Sequence, residues 1–558
     1  MVESMGMEWN MPADWLAVVA QTNGHTPWFS YVIHIAYTII LSLIVLFGAH
    51  RWYIVWLYYR NRQNIKWCDR CFRELPTVTI QLPMYNELYV ARRVIEAAAA
   101  IDYPREKLQI QVLDDSTDQT RQIAAQTVRQ LADAGHRIEY LHRSNREGFK
   151  AGALAAGLES ATGELVMIFD ADFVPPARIL HDMVHYFTNE KVGMVQARWD
   201  HINRTHSTLT QAQAIFLDAH FVIEHTARNT SGRFMNFNGT AGIWRRSAID
   251  DAGGWEHDTL TEDMDLSYRA QLRGWEFVYL PHITAPAELP PEVQGFKQQQ
   301  FRWTKGTVQT AGKMLPQIFK SGVPAAIKTE AFFHLVNPVA YLLMSVLILM
   351  FGPLYFWQLQ HAWTGWVLPF LLGCGLIFLA SGSATAFYMC SQRELGGNWK
   401  DKIKYLPLLM GIGVGVALNN SLAVLEAFFG KQSPFERTPK FGVEAHHHRN
   451  QWRKRTAEFV SRRTIMPTLE LFYGIYCLSC LYLYSDQGWS FYVFCPFLLI
   501  FAYGYLYVGG LSWRAIIRSW IQEKAEPVRP EPELLGALGE WNSSPDATEI
   551  DQPALTRQ

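Results

Sequence analysis

The stretch ELVMIFDADF, Glu164 to Phe173, decides how the middle of this chain is read. Its apolar run is too short for a helix and carries no outward-facing polar alternation. It therefore reads as a strand buried on both faces. Two carboxylates, Asp170 and Asp172, close it at a spacing of i, i+2. At the frayed end of a strand both can turn toward one hard cation, and magnesium or manganese takes such oxygen ligands while keeping substrate phosphates as partners. A D-x-D alone is a weak pattern, and two solvated loop aspartates would look the same.

Working outward, strand and helix patterns alternate. TVTIQLP (Thr77–Pro83) is a short β-branched strand and ELYVARRVIEAAAAI (Glu87–Ile101) a helix. LQIQVLDDS (Leu108–Ser116) is a strand running into a polar turn, and DQTRQIAAQTVRQLADA (Asp118–Ala134) is a helix. That order, over residues 76–320, predicts a mostly parallel sheet with helices on both faces. Ligands bind at the carboxyl ends of strands in such sheets, where Asp114, Asp115, Asp170 and Asp172 all fall. Asp114 and Asp115 could accept hydrogen bonds from a ribose or base, or the turn could simply cap the next helix through Ser116 or Asp118. In NREGFKAGAL, Lys150 stands at a helix start between Gly148 and Gly152, where a cation beside backbone N–H groups suits a diphosphate.

The flanks differ. Tyr31 to Tyr58 is apolar with aromatic edges and is followed by Arg60, Arg62, Lys66, Arg70 and Arg73. The positive-inside rule puts residue 60 onward in the cytoplasm. The first 27 residues hold three acidic groups and no Lys or Arg, the wrong start for a cleaved leader. Later apolar runs at 332–356, 366–390, 405–429, 468–484 and 491–510 are candidate spans. The loops on both sides of 405–429 are basic, and Asn419 and Asn420 sit within it, so it reads as interfacial or re-entrant. The whole is expected as a multi-pass protein of the inner (cytoplasmic) membrane. Its division is 1–60, a cytoplasmic α/β domain at 61–325, membrane helices at 326–520 with a cytoplasmic loop at 430–465, and a disordered acidic tail at 521–558.

Formal net charge is −1, which gives no overall basic surface for nucleic acid. Seven cysteines among 558 residues make no disulfide framework, and the pairs Cys68/Cys71 and Cys477/Cys480 lie too far apart in sequence to be read as one zinc site. The run His446–His448 is flanked by Arg and Lys and reads as a polar loop.

Two more stretches carry chemistry. TLTEDMDLSYRAQLRGW (Thr259–Trp275) has the form of a capped helix start: Thr259 with Glu262 fits a capping box, and Thr261 could cap instead. In QQQFRW, Gln299 lies at helical spacing beside Arg302 and Trp303, grouping an amide, a phosphate-binding fork and an indole plate suited to a sugar face.

IQLPMYNE, VLDDSTD, FDADF, VQARW, FNGTAGIWR, TEDMDL and QQQFRW occur in one order. In that order the chain resembles the processive membrane glycosyltransferases of family 2, above all the cellulose-synthase-like mannan and glucomannan synthases. It is more distantly similar to the bacterial cellulose synthase catalytic subunit. The resemblance covers about residues 75–315 closely and the membrane flanks in arrangement only. It implies a GT-A (nucleotide-diphospho-sugar transferase) domain inserted between transmembrane α-helices. It further implies inverting, Mg²⁺- or Mn²⁺-dependent hexosyl transfer from a GDP- or UDP-sugar to a β-linked glycan, with passage through the membrane and room for envelope export partners. A non-processive glycolipid synthase with a lipid acceptor is the alternative. By resemblance Asp114 and Asp115 contact the nucleotide, Lys150 the diphosphate, and Asp170 and Asp172 the metal. Asp263 is the catalytic base, its ionised form favoured by the helix start. Glu262, Gln299, Arg302 and Trp303 contact diphosphate and acceptor. FERTPK is similar to the cellulose synthase gating loop F-x-V-T-x-K: Phe435, Thr438 and Lys440 stand in place, and Arg437 replaces the valine.

Overall fold

A computed structural model describes residues 28–353, 378–431, 437–443, 463–485 and 489–523. Seven strands form one sheet in the order β3-β2-β1-β4-β6-β5-β7. They are β1 (Val78–Met84), β2 (Leu108–Asp114), β3 (Ile138–His142), β4 (Leu165–Ile168), β5 (Val192–His201), β6 (Gly242–Arg245) and β7 (Glu276–Ala287). Strands β1–β4 are mutually parallel, as expected, and β5 pairs parallel with β7. Only β6 runs antiparallel, between β4 and β5. The sheet is thus a GT-A-type mixed sheet, and one reversed strand is the departure from the simple alternation.

Period-two side-chain placement separates the two faces. On β4, Leu165 and Met167, with Phe169 just beyond the strand, enter one core with Ile80 and Val94, while Val166 and Ile168 enter the other with Leu154 and Trp244. Helices α2 (Ala91–Ala99) and α3 (Thr120–Asp133) cover the β1–β2 half, α4 (Phe149–Ser160) packs against β1 and β2, and α5 (Thr208–Ala219) packs against β5. Buried polar side chains on β1 and β2 bond to one another: the Thr79 hydroxyl donates to Gln109 (2.8 Å) and the Gln81 amide to Gln111 (3.1 Å). The carboxyl ends of β1, β2 and β4 lie side by side, with Met84 opposite Asp114.

Behind the sheet, α6 (Glu262–Leu272) packs on the long helix α7 (Val293–Lys320). The latter joins the sheet domain to apolar helices. These are α1 (Trp28–Asn61), α8 (Ala325–Val336), α9 (Val339–Leu349), α11 (Leu406–Gly415), α12 (Ala417–Phe428), α13 (Ile465–Tyr484) and α14 (Trp489–Glu523), with α10 (Ser383–Glu394) beside α1. Among the described residues four helices are long and apolar enough to cross a membrane, or five if the bent α8–α9 pair is one span.

One membrane expectation changes. The run at 332–356 is not one helix: it bends by 56° between α8 and α9. Pro338 lacks an N–H and crowds the preceding turn, which ends α8 there. The run at 366–390 lies partly outside the described residues. Trp399–Phe428 qualifies as a span by length and apolarity, though it breaks at Val416 and packs against α7, α9 and α14. The tail beyond 523, Phe435 and His446–His448 lie outside the described residues.

Candidate active site

One cleft, with a volume of about 160 Å³, opens at the carboxyl ends of β1, β2 and β4. Asp115, Lys150, Asp170, Asp172, Glu262, Asp263, Gln299, Arg302, Trp303, Thr438 and Lys440 all line it. These residues come from six separate stretches of sequence. Asp114 is the exception. It is fully buried beneath the cleft floor, accepting from the Ser116 N–H (2.9 Å) and the Tyr140 hydroxyl (2.7 Å). Its spacing one residue before Asp115 turns it to the inner side of the strand end, so a direct contact with a nucleotide is not available to it. Asp115 faces the cleft and is clamped bidentately by Arg143 (2.9 and 2.6 Å).

Each carboxylate of the D-x-D pair is matched with an ammonium. Lys150 is 2.5 Å from Asp170, and Lys440 is 2.5 Å from Asp172. Hard oxygen donors already holding cations suit Mg²⁺ or Mn²⁺, so Asp170 and Asp172 fit the metal the fold implies. The other acidic cluster among the described residues, Glu256, Asp258 and Asp265, is spanned by the Lys313 ammonium at 2.5, 2.8 and 3.1 Å and is an ion-pair network.

Helix α6 does not begin as expected. No side chain caps it, and Thr261 instead meets the Thr310 hydroxyl of α7 at 3.1 Å. Gly306 permits this approach, since a Cβ there would lie 2.5 Å from Thr261. Neighbouring acids then diverge. Asp265 is buried and pairs with Arg269 (2.8 Å) and Lys313. Asp263 accepts from the Met264 N–H through Oδ1 (2.8 Å), and its Oδ2 lies toward Gly239. Gly239 has φ +79°, and a Cβ there would stand 3.0 Å from Asp263 Oδ2 and 3.3 Å from Lys150 Nζ. Its carbonyl accepts from Lys150 (2.9 Å), which fixes the lysine beside the acid.

Burial pushes Asp263 up to about 7, with Glu262 adding to the rise and Lys150 opposing it. This reverses the expectation from the helix start, because desolvation beside a second acid outweighs the dipole. Glu262 is raised by the same burial. Burial works to lower Lys150, but Asp170 and then Glu262 carry it above its ordinary value. Arg302 is lowered by burial.

Several lining residues were not singled out as site candidates. Glu87 accepts from Arg437 (2.9 Å), and burial lifts it to about 7 against that pairing. The Arg146 guanidinium stacks 3.4 Å over the Tyr85 ring. Trp199 lies 6.4 Å from Trp303. Glu87 and Trp199 do fall in the quoted motifs IQLPMYNE and VQARW, which was the available signal. The segment 437–443 crosses the cleft: Lys440 also donates to the Glu288 carbonyl (3.1 Å), and the Phe441 N–H donates to the Glu288 carboxylate (3.0 Å).

A mixed sheet whose parallel strand ends gather paired carboxylates, two lysines and an amide–guanidinium–indole group defines a nucleotide-sugar transferase domain of the GT-A type. Residues 76–306 match the family described as Glycosyltransferase like family 2. It is 45% identical over 238 residues to the probable glucomannan 4-beta-mannosyltransferase 7 of Oryza sativa subsp. japonica, covering 42% of this chain and 41% of that protein. It is 43% identical over 251 residues to glucomannan 4-beta-mannosyltransferase 2 of Arabidopsis thaliana, covering 44% and 47%. The chain spans about half the length of the curated relatives it matches. Among solved structures, the mannosyltransferase PcManGT from Pyrobaculum calidifontis, in complex with GDP-Man and Mn²⁺, is similar with a TM-score of 0.48 and 21% identity over 70% of this chain and all of that one.

Proposed function

We propose that the chain is an inverting hexosyltransferase that extends a β-linked polysaccharide from a nucleotide sugar, with β-1,4-mannosyl transfer to a glucomannan-type acceptor as the first reaction to test. The observation that carries this is the meeting of Asp263, Lys150, Arg302 and the Asp170/Asp172 pair in one cleft. The relatives' names supply the sugar and the linkage. GDP-mannose is the leading donor, with GDP-glucose and UDP-glucose as the other arms.

In this reading Asp263 accepts the proton of an acceptor hydroxyl as that oxygen attacks the anomeric carbon. The bond from the anomeric carbon to the β-phosphate oxygen breaks, and the nucleoside diphosphate leaves with the electron pair. Lys150 and Arg302 stabilise the charge that develops on it. Asp170 and Asp172 would hold a divalent cation, which would supply further neutralisation of the diphosphate. A carboxylate raised toward 7 suits general-base work near neutral pH, which typically contributes about 10²–10⁴ in rate. Gln299 and Trp303 orient the acceptor sugar.

The cleft volume of about 160 Å³ is well below the roughly 300–1,000 Å³ of small-molecule sites. The segment bearing Arg437, Thr438 and Lys440 therefore withdraws to admit the donor and closes on it afterwards. We place the catalytic domain on the cytoplasmic side of the inner membrane, from the basic residues after α1. Membranes given each labelled nucleotide sugar test the reading. A high-mass product sensitive to mannanase is expected from GDP-mannose. No transfer from any of the three donors, in protein that still binds nucleotide, would overturn it.

A further inference from the structure

A second cavity, with a volume of about 1050 Å³, lies between the catalytic domain and the apolar helices, and the function above does not use it. Phe149, Lys150, Leu260 and Glu262 line both spaces and form the wall between them. Its two sides differ in chemistry. On the domain side stand Lys150, His257, Asp258 and Glu262. On the helix side stand Val308, Ala311 and Leu315 of α7, Val336 and Val339 at the α8–α9 bend, and Phe428 ending α12. Around the helix side the surface stays apolar: Phe428 is 61% exposed and the neighbouring Phe429 83%.

Such a space suits an amphiphile. Part of its apolar wall, Val336 and Val339 of the bent α8–α9 pair and Phe428 of Trp399–Phe428, comes from helices apolar enough to cross a membrane, so bilayer lipid is the apolar material at hand. The break at Asn337–Pro338 lies between two lining residues and keeps α8 and α9 from closing the wall. On the polar wall both lysines are already matched with carboxylates, Lys150 with Asp170 and Lys313 with Glu256, Asp258 and Asp265. A lipid phosphate would meet the carboxylates of Asp258 and Glu262 in the lining, whereas hydroxyl groups find acceptors in them. Gly312, in the lining, has open space where a side chain would stand.

We propose that this cavity binds a neutral, hydroxyl-bearing bilayer lipid of the diacylglycerol class, with its acyl part against α7, α9 and α12 and its hydroxyl against the Lys150–Glu262 wall. The lipid lies one layer of side chains from Asp263. Binding does not depend on the donor or on turnover, so this proposal and the enzymatic reading fail separately.

The test uses the full chain in phosphatidylcholine nanodiscs containing a trace of diacylglycerol with a diazirine in one acyl chain. After illumination, peptide mass spectrometry should find adducts in 308–315 and 336–339. Gly312→Trp should obstruct the cavity beside α7 and abolish them while nucleotide binding is retained. Val336→Trp on the facing wall should do the same, and it carries the test if Gly312→Trp does not fold. A phosphatidic acid probe with the same chains should label these peptides less. Adducts confined to outward residues such as Phe472 and Ile475, or cavity adducts unchanged by both variants, would overturn the site. Equal labelling by phosphatidic acid would overturn the choice of headgroup.

Discussion

Asp263 and Asp265 stand two residues apart on one helix and are set in opposite environments. Arg269 and Lys313 neutralise Asp265, while Asp263 faces the cleft beside Glu262. Asp263→Asn should keep nucleotide binding and lower turnover by at least about 10²-fold. Normal transfer by this variant would remove Asp263 from the mechanism. The ionised form is the active base, so kcat/KM should fall about tenfold per unit as pH drops below about 7. The same shift sets a stability effect of opposite sign. The folded value lies above the usual carboxylate value of about 3.9, so the ionised acid destabilises the ligand-free fold above about 7. Asp263→Asn should therefore melt higher than wild type at pH 8, and the difference should vanish below about pH 4. Gly239→Ala tests the backbone next to this acid. A left-handed non-glycine residue costs roughly 1–2 kcal/mol, and the new methyl would meet Asp263 and Lys150. Turnover should fall further than thermal stability accounts for.

At the scale of elements, α7 is the joint of the molecule. Lys297 reaches the buried Glu470 of α13 (2.5 Å), and Lys305 reaches Glu426 of α12 (2.9 Å). These pairs bracket Gln299, Arg302 and Trp303, so they set where that group stands relative to the apolar helices. Breaking a buried pair by removing one partner costs about 3–5 kcal/mol. Lys297→Met should destabilise the detergent-purified protein by that order, and Lys297→Met with Glu470→Met should recover most of it. Equal melting of the single and double variants would show that the pair does not couple the two helices. Neither pairing was legible in sequence, because Lys297 and Glu470 are 173 positions apart. The helix α7 itself was legible from QQQFRW, whose residues do lie at helical spacing.

At the scale of the whole molecule, the cleft proposed for metal and nucleotide lies between the sheet and the segment 437–443. Chelation with EDTA should abolish transfer, and added Mn²⁺ or Mg²⁺ should restore it. Full activity in chelator would remove Asp170 and Asp172 from that role. In chelator Lys150 and Lys440 remain as the cations on those carboxylates, so the fold should not melt lower. Membrane crossing is the global property least determined by pattern. Length and apolarity admit Trp399–Phe428 as a span, whereas the basic loops on both sides argued for a re-entrant segment. Cysteine labelling from each side of sealed membranes, at positions before 399 and after 463, decides between them.

By itself the sequence determined the alternation of strands and helices, the apolar flanks and the order of the motifs. Each of these is written locally, in residue types at a period of two or of about 3.6. It also placed the acids at strand ends, since a strand end follows from where an apolar run stops. Only the tertiary structure decided which acid faces the cleft. Asp115 and Asp263 enter it, while Asp114 and Asp265 are consumed by Tyr140, Arg269 and Lys313. The reversed strand β6, the lost cap at Thr261 and the raised Asp263 likewise depend on partners distant in sequence. Burial and pairing are sums over every neighbour in space, and a linear pattern holds only the neighbours along the chain.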